Sequence, residues 1–274
     1  MISINNVTYR YKKGKDILKE INMTIQDKET VVIMGKNGSG KSTLGKLISG
    51  MIKPKEGKIL MDDLDLADKK NKEEIRKKIG IVFQNPENQI IFNNVEDEVS
   101  FALKDLEQEE IKKRIEASLD KVRMKDKLKE DLYELSLGQK QRVIISEVLA
   151  KQPKYIVFDE PTTMIDSKGK EAIYHIVEEL KKEGYTIVYI TNVAEEMLLA
   201  DRIVLLNEVQ IVEEIKQEDL LNRFDVFEQY DIKVPMILEL LQKLREQGIE
   251  INLKDYSIDE LVRKLKEKIE VERE

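Results

Sequence analysis

Short apolar runs recur through the first three quarters of this chain, each closed off by turn-forming or charged residues. Val31-Val32-Ile33-Met34, Ile79-Gly80-Ile81-Val82-Phe83, Tyr155-Ile156-Val157-Phe158 and Thr186-Ile187-Val188-Tyr189-Ile190 predict strands. The last two are rich in β-branched and aromatic residues, and each precedes a helix-like segment, an alternation that implies a mostly parallel sheet covered by helices. Residues 3–34 alternate β-rich runs with turns at Lys13-Gly14 and Gln26-Asp27-Lys28, and Ile59-Leu60-Met61 adds a further strand. The stretch from Glu107 to Lys129 is charged and helical in period, the mark of a helical insertion. From about residue 215 the pattern changes. Pro235 opens a helix carrying Ile237, Leu238, Leu241 and Leu244, and Ile258, Leu261, Val262, Leu265 and Ile269 repeat at helical spacing. The pattern therefore predicts an α/β domain over 1–215 and a small helical extension over 216–274.

Composition narrows the class. The 274 residues are 41% hydrophobic and 37% charged. They hold no apolar stretch approaching the ~18 residues of a membrane span, so any membrane role is expected to be peripheral. Met1-Ile2-Ser3-Ile4 runs straight into a strand pattern without a secretory signal, which predicts a cytoplasmic protein. The absence of cysteine excludes a disulfide framework and a thiolate metal site, and the net charge of -7 argues against nucleic acid as a partner.

The candidate chemistry begins at Gly35-Lys36-Asn37-Gly38-Ser39-Gly40-Lys41-Ser42-Thr43, between the run Val31–Met34 and a helix-like stretch. Strand, glycine-rich loop and helix in that order make a phosphate-binding loop. The glycines let backbone amides approach a triphosphate at the positive end of the following helix. Lys41 is expected to meet the β- and γ-phosphates, and Ser42 to place its hydroxyl on Mg²⁺. A second element follows Tyr155–Phe158. Asp159 can hold Mg²⁺ while Glu160 orients and deprotonates an attacking water, although Pro161 also suits an acid pair that merely begins a turn. The third is Leu135-Ser136-Leu137-Gly138-Gln139-Lys140-Gln141-Arg142, ahead of an apolar helix. There Ser136 can act as N-cap, and the exposed amides of the first turn attract an anion.

Taken in order, these segments resemble the ATP-binding cassette (ABC) family of P-loop ATPases. The resemblance implies a mostly parallel core with an antiparallel β subdomain, a helical subdomain over about residues 85–150, and ATP with Mg²⁺ as cofactors. It makes Leu135–Arg142 the signature segment, whose Ser136, Gly138 and Gln139 contact the nucleotide held by a second subunit. Tyr11 stands where the family sets an aromatic ring against adenine. Gln84 stands where a glutamine senses the γ-phosphate, Mg²⁺ and the transport partner, and Asp166 lies in the loop that links two cassettes.

Within the family the chain is similar to the ATPases of energy-coupling factor transporters, the vitamin and cobalt importers. Residues 75–89, Val95-Glu96-Asp97-Glu98-Val99-Ser100-Phe101 and Asp159-Glu160-Pro161-Thr162-Thr163-Met164-Ile165-Asp166 carry that similarity. It implies a second ABC ATPase as partner, non-identical in the first reading and identical in the alternative. It also implies a transmembrane coupling protein, a substrate-binding membrane protein and a place on the cytoplasmic face of the cell membrane. Ile90, Ile91, Phe92, Val95 and Phe101 fit either a groove for the membrane partner or internal packing. The tail resembles an extension that contributes to pairing.

Two positions depart from the family pattern. Asn192 stands where active cassettes carry a histidine, and it can donate a hydrogen bond but cannot carry charge. His175, the single histidine, belongs to an ordinary helix, and Leu137 replaces the usual glycine of the signature. The reading that follows is an unequal pair of sites, with slow hydrolysis where Lys41, Glu160 and Asn192 meet. Two alternatives are a soluble cassette that remodels nucleic acid or ribosomes, and a regulatory subunit that binds ATP without turning it over.

Overall fold

The computed structural model describes all residues except 13, 252, 254, 255 and 272–274, and the side chains of 269–271 also fall outside the description. Lys13 of the predicted turn and the side chain of Ile269 thus lie outside the described residues.

The chain opens with an antiparallel pair, β1 (Ile2–Tyr9) and β2 (Leu18–Ile25). In β1 the buried apolar set is Ile2, Ile4, Val7 and Tyr9, so the two-residue alternation skips once. A register shift between Ile4 and Val7, with Asn6 at φ 51°, returns Val7 to the core face. The predicted turn at Gln26-Asp27-Lys28 is present with Lys28 at φ 65°. It leads into β3 (Thr30–Met34), which joins a second sheet and is followed by α1 (Lys41–Ile48). β4 (Glu56–Met61) and β5 (Leu64–Asp65) then complete the first sheet in the order β2-β1-β4-β5.

The second sheet is built around β3. After α2 (Lys72–Lys78) come β6 (Ile79–Val82), the helices α3 (Val95–Phe101), α4 (Gln108–Lys121) and α5 (Leu137–Ala150), and then β7 (Tyr155–Asp159). α6 (Ser167–Lys182), β8 (Thr186–Thr191), β9 (Arg202–Asn207) and β10 (Gln210–Lys216) follow. The strand order is β10-β9-β3-β8-β7-β6, parallel throughout except for the β9–β10 hairpin. Every residue of β3, β7 and β8 is buried, as continuous apolar runs covered on both faces require.

α4 stops at Lys121, short of the predicted Lys129. Arg123 adopts φ 55°, which no helix continues through, and the chain resumes only as a short 3-10 turn over Lys125–Lys127. Arg142 of α5 donates to the freed carbonyls of Val122 and Arg123 at 3.1 and 3.2 Å, closing that helix end.

Past β10 lie α7 (Phe224–Gln229), α8 (Met236–Glu246) and α9 (Ile258–Val271), with Pro235 before the first turn of α8. Leu220, Val226, Phe227, Leu238, Leu241, Ile251 and Leu261 belong to the same apolar cluster as Val32, Phe158 and Ile187 of the central sheet. The tail is thus packed onto the core, but unevenly: Ile258 and Val262 of the predicted apolar repeat are 72% and 43% exposed.

A mostly buried carboxyl makes stability depend on pH. The Glu147 side chain on α5 is 14% exposed, with Lys151 Nζ at 3.7 Å. Burial, reinforced by the charge of Glu98 and opposed by Lys151, pushes its pKa from 4.5 up to about 7. The folded state therefore holds this proton more tightly than the unfolded chain, and stability is lost as pH rises from 4.5 through about 7. Glu147→Gln is expected to raise the thermal midpoint at about pH 8, with the gain shrinking toward about pH 5. Circular-dichroism melts at the two pH values check it.

Candidate active site

Parallel register assembles the site. Met34 pairs with Thr191 and Asp159 with Ile190, so β3, β7 and β8 end side by side. The residues that follow, Gly35, Glu160 and Asn192, emerge together at the carboxyl edge of the sheet. β3 is flanked by β8 on one side and β9 on the other, where crossovers leave a crevice in sheets of this kind.

The loop from Gly35 to Gly40 fills that crevice. A side chain at Gly35 would bring a Cβ within 2.0 Å of the Leu206 carbonyl oxygen, and at Gly40, φ 101°, within 2.7 Å of that of Ile17. Only glycine lets the backbone pass there. Gly40 caps α1 without a side-chain hydrogen bond, so the first amides of that helix are left for a ligand. Lys41 is 4% exposed, and its Nζ donates to the carbonyls of Gly35 and Lys36 at 2.7 and 3.0 Å. Burial pulls its pKa below the ordinary lysine value, against the nearby carboxylates of Glu160 and Asp159. Ser39 Oγ is buried with no hydrogen-bond partner among the described residues, an unsatisfied hydroxyl inside an anion cradle.

Ser42 Oγ donates to Asp159 Oδ1 at 2.8 Å, joining positions far apart in sequence. Burial raises the Asp159 pKa, with Ser42, Lys46 and Lys41 acting against it. Hard oxygen donors paired in this way suit Mg²⁺. Among the described residues no group of three or more His, Cys, Asp or Glu could hold a metal ion. Phosphate oxygens and water would have to complete the coordination, as Mg²⁺ prefers.

Glu160 adopts φ 50° with its backbone N–H donating to the Ile190 carbonyl at 2.9 Å, which turns the carboxylate into the groove. That groove has a volume of about 280 Å³ and is lined by Tyr11, Ile17, Asn37, Gly38, Gly40, Lys41, Ser42, Thr43 and Glu160. The Tyr11 ring is held edge-on against Tyr9, centroids 5.0 Å apart, is 50% exposed, and has its hydroxyl 3.4 Å from Thr43 Oγ1. An exposed ring at the rim can stack on a flat base. Ile17 is a groove residue that sequence reasoning missed, for it carries no chemical signature of its own. Asn192 Nδ2 donates to Asn37 Oδ1 at 2.9 Å, which ties it to the tip of the loop.

The remaining expected residues gather elsewhere. Ser136 and Gln139 form a reciprocal capping box on α5: Gln139 N–H donates to Ser136 Oγ, and Ser136 N–H to Gln139 Oε1. Gly138 packs against Gly169 of α6, whose N-cap Asp166 accepts from the Gly169 N–H at 2.9 Å. None of Ser136, Gly138, Gln139 and Asp166 lines the groove within one chain. Gln84 is exposed and makes no side-chain hydrogen bond among the described residues, so the structure does not join it to Ser42 and Asp159. His175 is 62% exposed beside Glu178.

The apolar segment beyond Gln84 divides. Val95 is fully buried, whereas Ile91 and Phe101 are 66% and 45% exposed, and the Phe101 ring lies 5.3 Å from that of Phe92. Buried Glu98 accepts from the N–H groups of Ile91 and Phe92 at 2.9 and 2.7 Å, holding that patch in place.

Comparison with known proteins agrees with this geometry. Residues 18–163 match the ABC transporter family. The energy-coupling factor transporter ATP-binding protein EcfA1 of Clostridioides difficile (strain 630) is 36% identical over 271 residues, 97% of this chain and 98% of that protein. The structure of cbiO1 from Clostridium perfringens, described as part of the ABC transporter complex cbiONQ, superposes with TM-score 0.75 at 31% identity, over 88% of this chain and 98% of that one. The ATP-binding cassette MJ0796, solved as a dimer in a post-hydrolysis state bound to ADP and Pi, gives TM-score 0.72 at 33% identity, over 79% and 98% of the two chains. The chain belongs to the ABC transporter ATPase family, in the branch of the energy-coupling factor ATP-binding proteins.

Proposed function

We propose that this chain is the ATP-hydrolysing subunit of an energy-coupling factor importer, powering uptake of a vitamin or a transition-metal ion. The observation that carries the reading is the division of the site. Lys41, Ser42 and Glu160 line one groove, with Asp159 joined to it through Ser42, while Ser136, Gly138 and Asp166 lie outside it at the ends of two adjoining helices. A groove that grips phosphate and a separate pair of helix ends suited to an anion make two halves of a site shared by two cassettes.

In this reading Tyr11 stacks on the base, and the amides of residues 38–43 with Lys41 hold the β- and γ-phosphates. Ser42 and Asp159 hold Mg²⁺, with Gln84 reaching it when the sites close. Mg²⁺ neutralises charge on the phosphate oxygens. Glu160 takes the proton of the attacking water at its carboxylate. Ser136, Gly138, Gln139 and Asp166 face the nucleotide of the second ATPase, non-identical or a second copy. The exposed Ile91 and Phe101 receive a transmembrane coupling protein at the cytoplasmic face of the membrane, where a separate membrane protein binds the transported solute. No described helix is long and apolar enough to cross a membrane, so the attachment is peripheral in this reading.

Purification of the chain from its native membranes tests the assignment. Integral membrane proteins and a second cassette in the complex are the expected result, and co-purifying nucleic acid in their place would sink it.

The bond from Asn192 to Asn37 favours the unequal-site reading, because an uncharged amide engaged by the loop supplies no positive charge to the γ-phosphate. Asn192→His in the assembled pair is expected to raise turnover at this site by about tenfold or more, since one oriented donor is worth about 10²–10³ in rate. Turnover per site that stays level or drops would refute the idea.

A further inference from the structure

Glu196 is a carboxylate with no exposed surface, and the proposed chemistry does not use it. It lies in the short 3-10 stretch Ala194–Leu199 that follows β8. Its Oε1 accepts hydrogen bonds from Thr162 Oγ1 and from the Tyr189 hydroxyl, the latter at 2.9 Å, while its Oε2 is buried with no hydrogen-bond partner among the described residues. Thr162, Tyr189 and Thr191 are themselves buried to within 1%.

Packing alone gives no reason for such a group. An apolar residue of similar volume would avoid the cost of burying a carboxylate, which runs to several kcal/mol even with partners. What the carboxylate supplies is a junction between elements. Thr162 stands two residues after Glu160, in the loop leading to Asp166. Tyr189 and Thr191 lie on β8, and Thr191 immediately precedes Asn192. A backbone bond from Glu160 N–H to the Ile190 carbonyl already joins the loop to β8 at one point. The Glu196–Thr162 bond makes a second point of attachment. Two attachments, one at residue 160 and one at 162, constrain the loop's orientation as well as its distance.

We propose that Glu196 is a positioning residue for hydrolysis: by clamping Thr162 to the end of β8, it sets where the Glu160 carboxylate stands relative to Lys41 and the phosphate loop. The proposal rests on the reading of Glu160 as the residue that activates water. It deepens that reading by naming what holds Glu160 in place.

The test compares Thr162→Val, Thr162→Ser, Glu196→Met and Glu160→Gln in the full-length chain purified with its partner subunits. ATP affinity is read by equilibrium titration and kcat by phosphate release. Thr162→Val keeps the shape of the side chain and removes only the hydroxyl, so kcat is expected to fall about tenfold or more, because small misplacements of a reacting group are costly. ATP affinity should change by less than about twofold, since Thr162 does not line the groove. Thr162→Ser restores the hydroxyl and should recover most of the rate. Glu196→Met, which is of similar volume but removes the acceptor of the Thr162 and Tyr189 hydroxyls, should lower kcat in the same way and serves as the second variant if Thr162→Val folds poorly.

An unchanged kcat in Thr162→Val, a loss that Thr162→Ser does not recover, or a parallel loss of ATP affinity would each overturn the positioning role. Glu160→Gln separates the two levels. A rate that survives this substitution removes the reading of Glu160 itself, whereas a rate lost there and retained in Thr162→Val removes only the clamp.

Discussion

Replacing Glu160 by glutamine is expected to lower hydrolysis at this chain's site by about 10²- to 10⁴-fold while ATP remains bound, the usual contribution of a general base. Glutamine has the size and the hydrogen-bonding reach of glutamate but cannot accept a proton at neutral pH. The backbone that aims the side chain is unaffected, because the φ of 50° is held by the Glu160 N–H to Ile190 carbonyl bond rather than by the carboxylate. One contact changes. Thr163 Oγ1 lies 3.4 Å from Glu160 Oε2 and can turn to meet the amide instead. Single-turnover phosphate release together with an ATP binding isotherm checks the prediction. Made in this chain alone within a mixed pair, the variant also addresses the regulatory alternative, for which the rate would not change.

Lys41→Ala should act on the other quantity, weakening ATP binding by about 10²-fold or more, since hydrogen bonds to charged groups are worth about 1.5–3 kcal/mol each and more than one is lost. In the structure the ammonium is preorganised. Carbonyls of Gly35 and Lys36 hold it at 2.7 and 3.0 Å, and it lines the groove beside Glu160. Its removal leaves Asp159 and Glu160 near a triphosphate without the Lys41 charge that offsets them, a like-charge arrangement that weakens binding further. The fold should survive, because the partners lost are carbonyl oxygens beside an open groove. Equilibrium titration with ATP, paired with a thermal melt to show that the variant is folded, is the measurement.

The parts of this site that were legible beforehand are those whose chemistry is local. The phosphate loop occupies nine consecutive residues, Gly35 to Thr43, so spacing alone specifies glycines at the tight backbone positions and Lys41 at the helix start. Ser136 as the N-cap of α5 is equally local, though the reciprocal bond from Ser136 N–H to Gln139 emerged only with the fold. The strand β10 is hidden in the sequence pattern because a bulge between Ile211 and Glu213 breaks its two-residue alternation. The helix predicted to Lys129 ended early for a similarly local reason, the left-handed backbone at Arg123.

By itself, then, the sequence determined the chemical kinds present: a triphosphate cradle, a pair of acids at a strand end, a capped helix suited to an anion, and an amide at residue 192 in place of an imidazole. Each is written in a few neighbouring residues, where backbone geometry and side-chain type decide the outcome. Only the tertiary structure decided which of these meet. The pairings of Met34 with Thr191 and of Asp159 with Ile190 bring Ser42 to Asp159 and Asn192 to Asn37, and burial makes Glu196 a junction for Thr162 and Tyr189. Strand register and packing sum weak preferences over the whole chain, and no short segment records that sum.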